Sequence, residues 1–338
     1  MSLRVAAVAS WSSVDSVVFR VRASPEAARL AEKYGYRPEN VERYIDVLGP
    51  LEARELLEAN EEPMAQSFRC NSYRIECGHL RERLEGKGFV LEEIPFTGYG
   101  YYATEAPFSL GSTHEYLQGY YYVQGPASMV VVEMLDPAPG ETILDAAAAP
   151  GGKATQIQQF TRDSSILIAV DRSRKRLRAL RSHMQRMGFS NYVILLADSR
   201  KLPPGIVADR VLLDAPSTGE GVIRRDPSRK HSRGVEDLAE VHRLQYELAR
   251  AVVRHVRRGG VLVYASCSLG PEEGELVIHK LVTENDNVRV EDPGVQAGSP
   301  AIPGFRGVEF DRSVRRCVRF WPHIQGTEGF FMCKLSVV

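Results

Sequence analysis

TILDAAAAPGGKATQIQQF, residues 142–160, decides the fold. A short apolar run ends in an acid, a Pro-Gly-Gly turn follows, and the next residues start a helix. That is a strand, a tight turn and a helix in succession. Working outward, the same alternation recurs: ILIAVD (166–171) reads as a strand, RKRLRALRSHMQRMG (174–188) as a helix and YVILLAD (192–198) as a strand. RVLLDAP (210–216) is another strand, and a long helix is expected from about Asp237 to Arg257. VLVYASCS (261–268), a helix in 271–284 and GFFMCKLSV (329–337) complete the series. Strands this apolar, separated by helices, predict an α/β fold with a doubly wound parallel sheet covered on both faces. Ligands of such sheets lie beyond the carboxyl ends of the strands. There the sequence places Asp145, Asp171, Asp198 and Asp214, with Cys267 directly after a further strand.

The Pro-Gly-Gly turn is not a phosphate loop. The pattern Gly-x4-Gly-Lys-Ser/Thr would require Gly where Ala147 stands and a hydroxyl where Ala154 stands. The dinucleotide pattern GxGxxG is also absent. Asp171 follows the glycines at the spacing of about 20 residues expected of a carboxylate that grips ribose hydroxyls. Acids at strand ends without a phosphate cradle suit an uncharged nucleoside, and S-adenosylmethionine is the favoured ligand. The plainer reading of each acid alone is a cap on the helix that follows it.

The amino-terminal part reads differently. Residues 1–24 form an extension, and 25–60 read as two or three short helices with glycine stops at Gly35 and Gly49. FRCNSYRI (68–75), HLRERLEGKG (79–88) and FVLEEIPF (89–96) suggest strand, helix and strand, followed by an aromatic connector over 97–128. The expected division is therefore an extension at 1–24, helices and a small α+β domain at 25–128, and the large α/β domain at 129–338.

Composition excludes several classes. The 338 residues are 43% hydrophobic and 25% charged, with 43 basic against 43 acidic side chains, as in an ordinary globular protein. The mildly apolar start, interrupted by Ser and Asp, makes a poor secretory signal. No apolar run reaches the roughly 18 residues of a membrane span. Five scattered cysteines without a CxxC pair argue against structural zinc or a disulfide framework, so no metal and reduced thiols are expected. The basic runs at 172–186 and 224–233 read either as solvated faces or as nucleic-acid contacts.

DAAAAPGGK, DRSRKRL, LLDAPSTGEG with IRRDP, YASCSLGPEE and WPHIQGTEGFF occur in an order that resembles the RNA 5-methylcytosine methyltransferases of the Fmu/Sun and Nop2/Sun-domain type. FRCNSY and GYYYVQGPAS resemble their amino-terminal counterparts. The resemblance implies a Rossmann-like S-adenosylmethionine methyltransferase sheet with a smaller, RNA-recognition-like α+β domain. It implies that Ala147, Ala148, Ala149, Pro150, Gly151, Gly152 and Lys153 cradle the methionine part of the cofactor. Asp171 would hold the ribose, with Arg176 and Asp198 on the cofactor as well. Ala147 stands where the family usually carries a cysteine.

Carbon 5 of cytosine is too weak a nucleophile to be methylated directly. A thiolate adding to carbon 6 gives carbon 5 enamine character and splits one hard step into two. The resemblance gives that role to Cys267 and the recognition of the cytosine edge to Asp214. The family normally has a second, helper cysteine after Asp-Ala-Pro, where this chain has Ser217. Ser217 is thus not the nucleophile, and its departure predicts slowed product release. Arg69, Asn71, Arg224, Arg225 and Lys230 are the expected RNA contacts, for a base that must leave its stack to be reached.

The favoured reading is an RNA cytosine-5 methyltransferase, directed to tRNA rather than rRNA, monomeric and cytoplasmic. A non-catalytic RNA-binding or assembly factor of the same fold is the alternative that Ser217 raises. A cofactor-binding enzyme of another class is the third, disfavoured by the missing dinucleotide motif.

Overall fold

The structure, a computed structural model, describes residues 17–338. Most of the expected extension, and the reading of the start as a poor secretory signal, lie outside the described residues. Helix α1 (Pro25–Tyr34) ends at Gly35 in the left-handed region at φ 74°, as the glycine predicts. Helix α2 (Pro38–Glu61) breaks where a stop was expected, at Gly49 with φ 79°, and Pro50 then restarts it.

A small sheet follows. Strand β1 (Gln66–Cys70) leads through a turn to α3 (Cys77–Glu85), β2 (Val90–Glu93), β3 (Gly100–Glu105), α4 (His114–Leu117) and β4 (Tyr121–Val123). The four strands lie in the order β2-β3-β1-β4, all antiparallel, which is a β-α-β-β-α-β arrangement. The stretch 97–128, expected to be a connector, therefore supplies half of this sheet. Its tyrosines are the reason: they fill a pleated, half-buried surface well. The first strand is shorter than FRCNSYRI, because Asn71 ends it by donating to the carbonyls of Gly119 and Met187 at 2.9 and 3.0 Å.

Alternation along β1 decides how the two parts join. Phe68 and Cys70 pack with Leu80, Leu84, Tyr101 and Tyr121 under α3. Ser67 and Arg69 point the other way, into the large domain.

Helix α5 (Pro126–Leu135) opens the large α/β unit. Its elements are β5 (Thr142–Asp145), α6 (Gly152–Phe160), β6 (Ile166–Asp171), α7 (Arg174–Met187), β7 (Tyr192–Leu196), β8 (Ala208–Asp214), α8 (Arg229–Ser232), α9 (Val235–Val252) and β9 (Val256–Ser266). After α10 (Glu275–Glu284) come β10 (Val288–Val290), β11 (Ser299–Pro300), β12 (Gly304–Phe305), β13 (Val308–Glu309), β14 (Val318–Phe320), α11 (Pro322–Gln325) and β15 (Phe330–Val337). On α7, Leu177, Leu180 and Met184 face inward and Arg174, Arg178 and Arg181 form a solvated face, while Arg186 turns in to the Tyr116 and Tyr121 carbonyls.

Among the described residues the large sheet has nine strands, with the main order β11-β14-β15-β9-β8-β5-β6-β7. Strands β9 to β7 are parallel, with β5 at the centre; β14 and β15 are antiparallel. The sheet is therefore mixed rather than wholly parallel, because the returning carboxyl-terminal strands add to it in the reverse direction. The chain first winds outward from β5 to β6 and β7, then crosses to β8 and β9 on the other side. The topological switch lies between β5 and β8, and their carboxyl ends frame the crevice.

The cysteines differ from the expectation of reduced thiols. Cys70 is bonded to Cys77 and Cys317 to Cys333, leaving Cys267 as the free cysteine. The turn after β1 brings the first pair to a Cα separation of 5.8 Å, and the β14–β15 register brings the second to 4.4 Å. Separations of 7 and 16 residues carry no linear signature of such proximity.

Candidate active site

Two hollows meet at the carboxyl ends of β5, β8 and β9, and share Ala147, Asp214 and Cys267 as their common wall. The loops that carry this wall are tied from below. Arg43 on α2 is fully buried and bridges Glu220 after β8 to Glu272 after β9, at 2.6 and 2.7 Å. Glu273 accepts the backbone N–H and the hydroxyl of Thr218 at 2.8 and 2.6 Å. Gly221 packs backbone to backbone beneath Cys267: its N–H donates to the Cys267 carbonyl at 3.2 Å, and a Cβ there would meet the Gly329 carbonyl oxygen at 1.9 Å. Only glycine fits that approach.

The first hollow, about 260 Å³, is lined by Asp171, Arg176, Asp198, Ala215 and Ser217 besides the shared wall. Asp171 ends β6 almost fully buried; one oxygen accepts the Ser173 N–H at 2.8 Å, and the other lies 3.4 Å from the Arg176 guanidinium. Arg176 also donates to the Ala149 carbonyl, which ties the 147–153 loop to α7. Gly151, at φ 113°, and Gly152 carry the turn into α6. A Cβ on Gly151 would press on Leu180 at 2.9 Å, and one on Gly152 would reach Tyr122 at 3.3 Å. Asp198 caps the turn at Ser199–Lys201 and holds Arg200 at 2.7 Å, which keeps its carboxyl below the usual range. Its capping role thus coexists with a place on the hollow. A buried strand-end carboxylate across from the Ala146–Ala147 backbone fits an adenosyl sulfonium, with Asp171 toward the ribose. Of the expected cradle only Ala147 lines this hollow; Ala148, Ala149, Pro150 and Gly152 face the second hollow, and Gly151 packs on Leu180.

The second hollow, about 430 Å³, is lined by Lys153, Asp145, Arg225, Glu328 and Phe330 with the shared wall. Cys267 follows β9, half-buried, and its thiol donates to the Gly329 carbonyl at 3.6 Å. Burial pushes the thiol's pKa well up, and the Glu328 and Asp214 carboxylates add to this while Lys153 and Arg225 oppose it. Lys153 was expected on the cofactor. Its ammonium instead bonds Asp214 at 2.7 Å and the Ser128 hydroxyl at 2.9 Å, on the second side of the wall. Asp145 is buried beside them with one oxygen unpartnered; burial, reinforced by Asp214, raises its carboxyl to about 7. Ser217 lines the first hollow, and its hydroxyl donates to the Cys267 carbonyl at 3.3 Å rather than facing the second chamber.

Of the expected RNA contacts, the structure brings only Arg225 to the chamber of Cys267. Arg69 and Asn71 are fully buried and must be reassigned. Arg69 donates to Gln124, Thr155 and the Gly152 carbonyl at 3.0, 2.8 and 3.3 Å, and also to Gln159, so it fastens β1 to the cofactor loop and α6. Asn71 fastens the end of β1 to α7. The small sheet therefore spends its helix-free face on this joint. Lys230 is 12% exposed and held by Glu61 and the Tyr34 carbonyl, which leaves it no free charge for a phosphate. Arg224 is engaged by the carbonyls of Glu62 and Gly326 at 3.0 and 2.9 Å. Glu328 was missed; in GTEGFF it reads only as a polar residue ahead of a strand.

A mixed sheet whose crevice lies at the switch point of its parallel strands, with a thiol and an acid on the crevice wall, defines a class by its fold: α/β methyltransferases. The chain matches the 16S rRNA methyltransferase RsmB/F family over residues 132–336 and the N-terminal domain of 16S rRNA methyltransferase RsmF over 38–126. It belongs to the RsmB/F family. It is 33% identical over 312 residues to the 25S rRNA (cytosine-C(5))-methyltransferase nop2 of Schizosaccharomyces pombe, covering 90% of this chain and 51% of that one. A tRNA (cytosine(72)-C(5))-methyltransferase of Pyrococcus horikoshii is 38% identical over 231 residues, covering 68% of this chain and 56% of the relative. Among solved structures, a methyltransferase homolog protein from Pyrococcus horikoshii superposes with a TM-score of 0.84 at 34% identity, covering 93% of this chain and 100% of that one. NSun6 from the same organism, solved with SFG, superposes with a TM-score of 0.79 at 27% identity, covering 88% and 97%. The chain spans about half the length of the two curated relatives named here.

Proposed function

We propose that this chain methylates carbon 5 of cytosine in RNA, with S-adenosylmethionine in the first hollow and the flipped base in the second. The observation that carries the reading is the shared wall, where Cys267 and Asp214 face both chambers. The NSun6 relative solved with SFG, an S-adenosylmethionine analogue, supports the cofactor. S-adenosylmethionine supplies an electrophilic methyl group. Asp171 takes the ribose, with Arg176 holding that carboxylate in place, and the small side chains of Ala146 and Ala147 let the ligand lie close.

Cys267 adds to carbon 6 once its proton is lost. The positive ends of Lys153 and Arg225 favour the thiolate that burial disfavours. Asp214, fixed by Lys153, accepts from the cytosine edge, and Arg225 at the mouth meets the phosphate backbone. Transfer RNA is the proposed substrate, with the protein acting as a monomer in the cytoplasm. Ribosomal RNA, named for several relatives, is the competing substrate. The binding-only alternative has less support, because Cys267, Asp214 and the cofactor loop are all in place.

Nucleoside mass spectrometry of separated tRNA and rRNA, from cells with the gene, without it and with Cys267→Ala, tests this. The expected result is 5-methylcytidine lost from the tRNA fraction in both altered strains. Loss from rRNA alone moves the substrate. Unchanged levels in both fractions overturn the activity.

A further inference from the structure

Glu328 lies just before β15, next to Gly329, whose carbonyl accepts from the Cys267 thiol. Its side chain is 3% exposed. One carboxylate oxygen accepts the Ser128 N–H at 3.2 Å. The other is buried without a hydrogen-bond partner, and Arg225 is its ion-pair neighbour at 4.0 Å. The fold makes room for this group: a Cβ on Gly125 would lie 1.9 Å from the Glu328 carboxylate. A buried carboxylate with an unused oxygen is costly to keep away from water. An oxygen kept in that condition on a reaction chamber is a candidate proton acceptor.

The position matters as much as the chemistry. A methyl group arriving from the first hollow pushes the hydrogen on carbon 5 to the opposite side of the ring. That side is the second hollow, which Glu328 lines and Ser217 does not. Ser217 stands where the family resemblance implies a helper thiol, and its hydroxyl is turned to the Cys267 carbonyl.

We propose that Glu328 is the general base that removes the carbon 5 hydrogen of the methylated cytosine and so frees Cys267, an assignment that rests on the methyltransferase reading above. The free oxygen of Glu328 takes the proton. The C–H electron pair becomes the carbon 5–carbon 6 double bond, and the carbon 6–sulfur pair leaves on Cys267 as thiolate. Lys153 and Arg225 face the departing charge. No oxidant or further reactant enters.

The test uses Glu328→Gln, which keeps the size of the side chain and an oxygen for the Ser128 N–H. Protein is mixed with unmodified total tRNA or total rRNA and methyl-tritiated S-adenosylmethionine. The expected result is that a first methyl group is still transferred and the label stays with denatured protein as a covalent RNA adduct. Steady-state turnover falls about a hundredfold or more, the range of a lost general base. Glu328→Asp regains part of the turnover with less trapped label. Glu328→Gln turning over at the parental rate overturns the proposal. So does loss of the first transfer without adduct in a variant that still binds cofactor, which would place Glu328 in base recognition instead. A parent chain that transfers nothing to either RNA overturns the functional reading itself, so the two failures are distinct.

Discussion

Cys267 is held as a thiol at rest, since burial and two carboxylates oppose its charged form. Its reactivity must therefore appear only when a base and a cofactor fill the hollows. Cys267→Ala is expected to abolish methyl transfer while leaving cofactor and RNA affinity within about twofold, because a thiol that acts in bond making contributes little to binding. RNA carrying 5-fluorocytosine should give an adduct that survives denaturation and maps to Cys267 by peptide mass spectrometry. An adduct on another residue, or activity in the variant, defeats the assignment. At this scale the sequence was legible where a side chain sits at a strand end: Asp171, Asp214 and Cys267 lie on the hollows as their positions imply. It misled where charge was taken for exposure. Arg69 looks like a phosphate contact on a strand, yet burial lowers its guanidinium to about 10 and every partner is an internal oxygen.

The central strand β5 carries its own pH signature. Asp145 at its end is raised to about 7, first by burial and then by Asp214. An unfolded aspartate titrates near about 3.9. Between those values the folded chain binds more protons than the unfolded one, so this group makes stability fall as pH rises. Every tenfold difference in proton affinity between the two states corresponds to about 1.4 kcal/mol. Thermal unfolding of the parent and of Asp145→Asn should show a higher melting temperature at pH 5 than at pH 8 in the parent, and a shallower fall in the variant. Some fall remains, since buried Glu273 is also raised to about 7. Identical slopes for the two proteins would show that Asp145 is ionised throughout. Strand positions like this one were readable because a buried parallel strand is a short apolar block. The small sheet was only half readable: β3 and β4 lie in a Tyr- and Gly-rich stretch whose pairing partner, β1, is many residues away. The joint between the two sheets is set by long-range contacts that no local pattern carries.

For the whole molecule, Arg69 is the test of how the two sheets hold together. Arg69→Met removes a buried donor and leaves the side-chain oxygens of Gln124 and Gln159 without one, while Thr155 keeps its bonds to the Gly151 and Gly152 carbonyls. Stranded buried polar groups cost about 1–3 kcal/mol each, so the variant should lose on the order of 3 kcal/mol and unfold at lower urea. Parental stability would mean that the guanidinium offsets none of its own burial.

The shared wall of Ala147, Asp214 and Cys267 also has a consequence for order. Apart from that wall each chamber is lined by its own residues, so on the proposed function the two ligands need not share a way in. On that reading the demethylated cofactor is expected to exchange while the nucleic acid is still bonded to Cys267. The expected kinetic scheme is one of random addition. In product-inhibition kinetics S-adenosylhomocysteine should compete with the methyl donor but not with RNA; competition with both would show that the two hollows share one entrance.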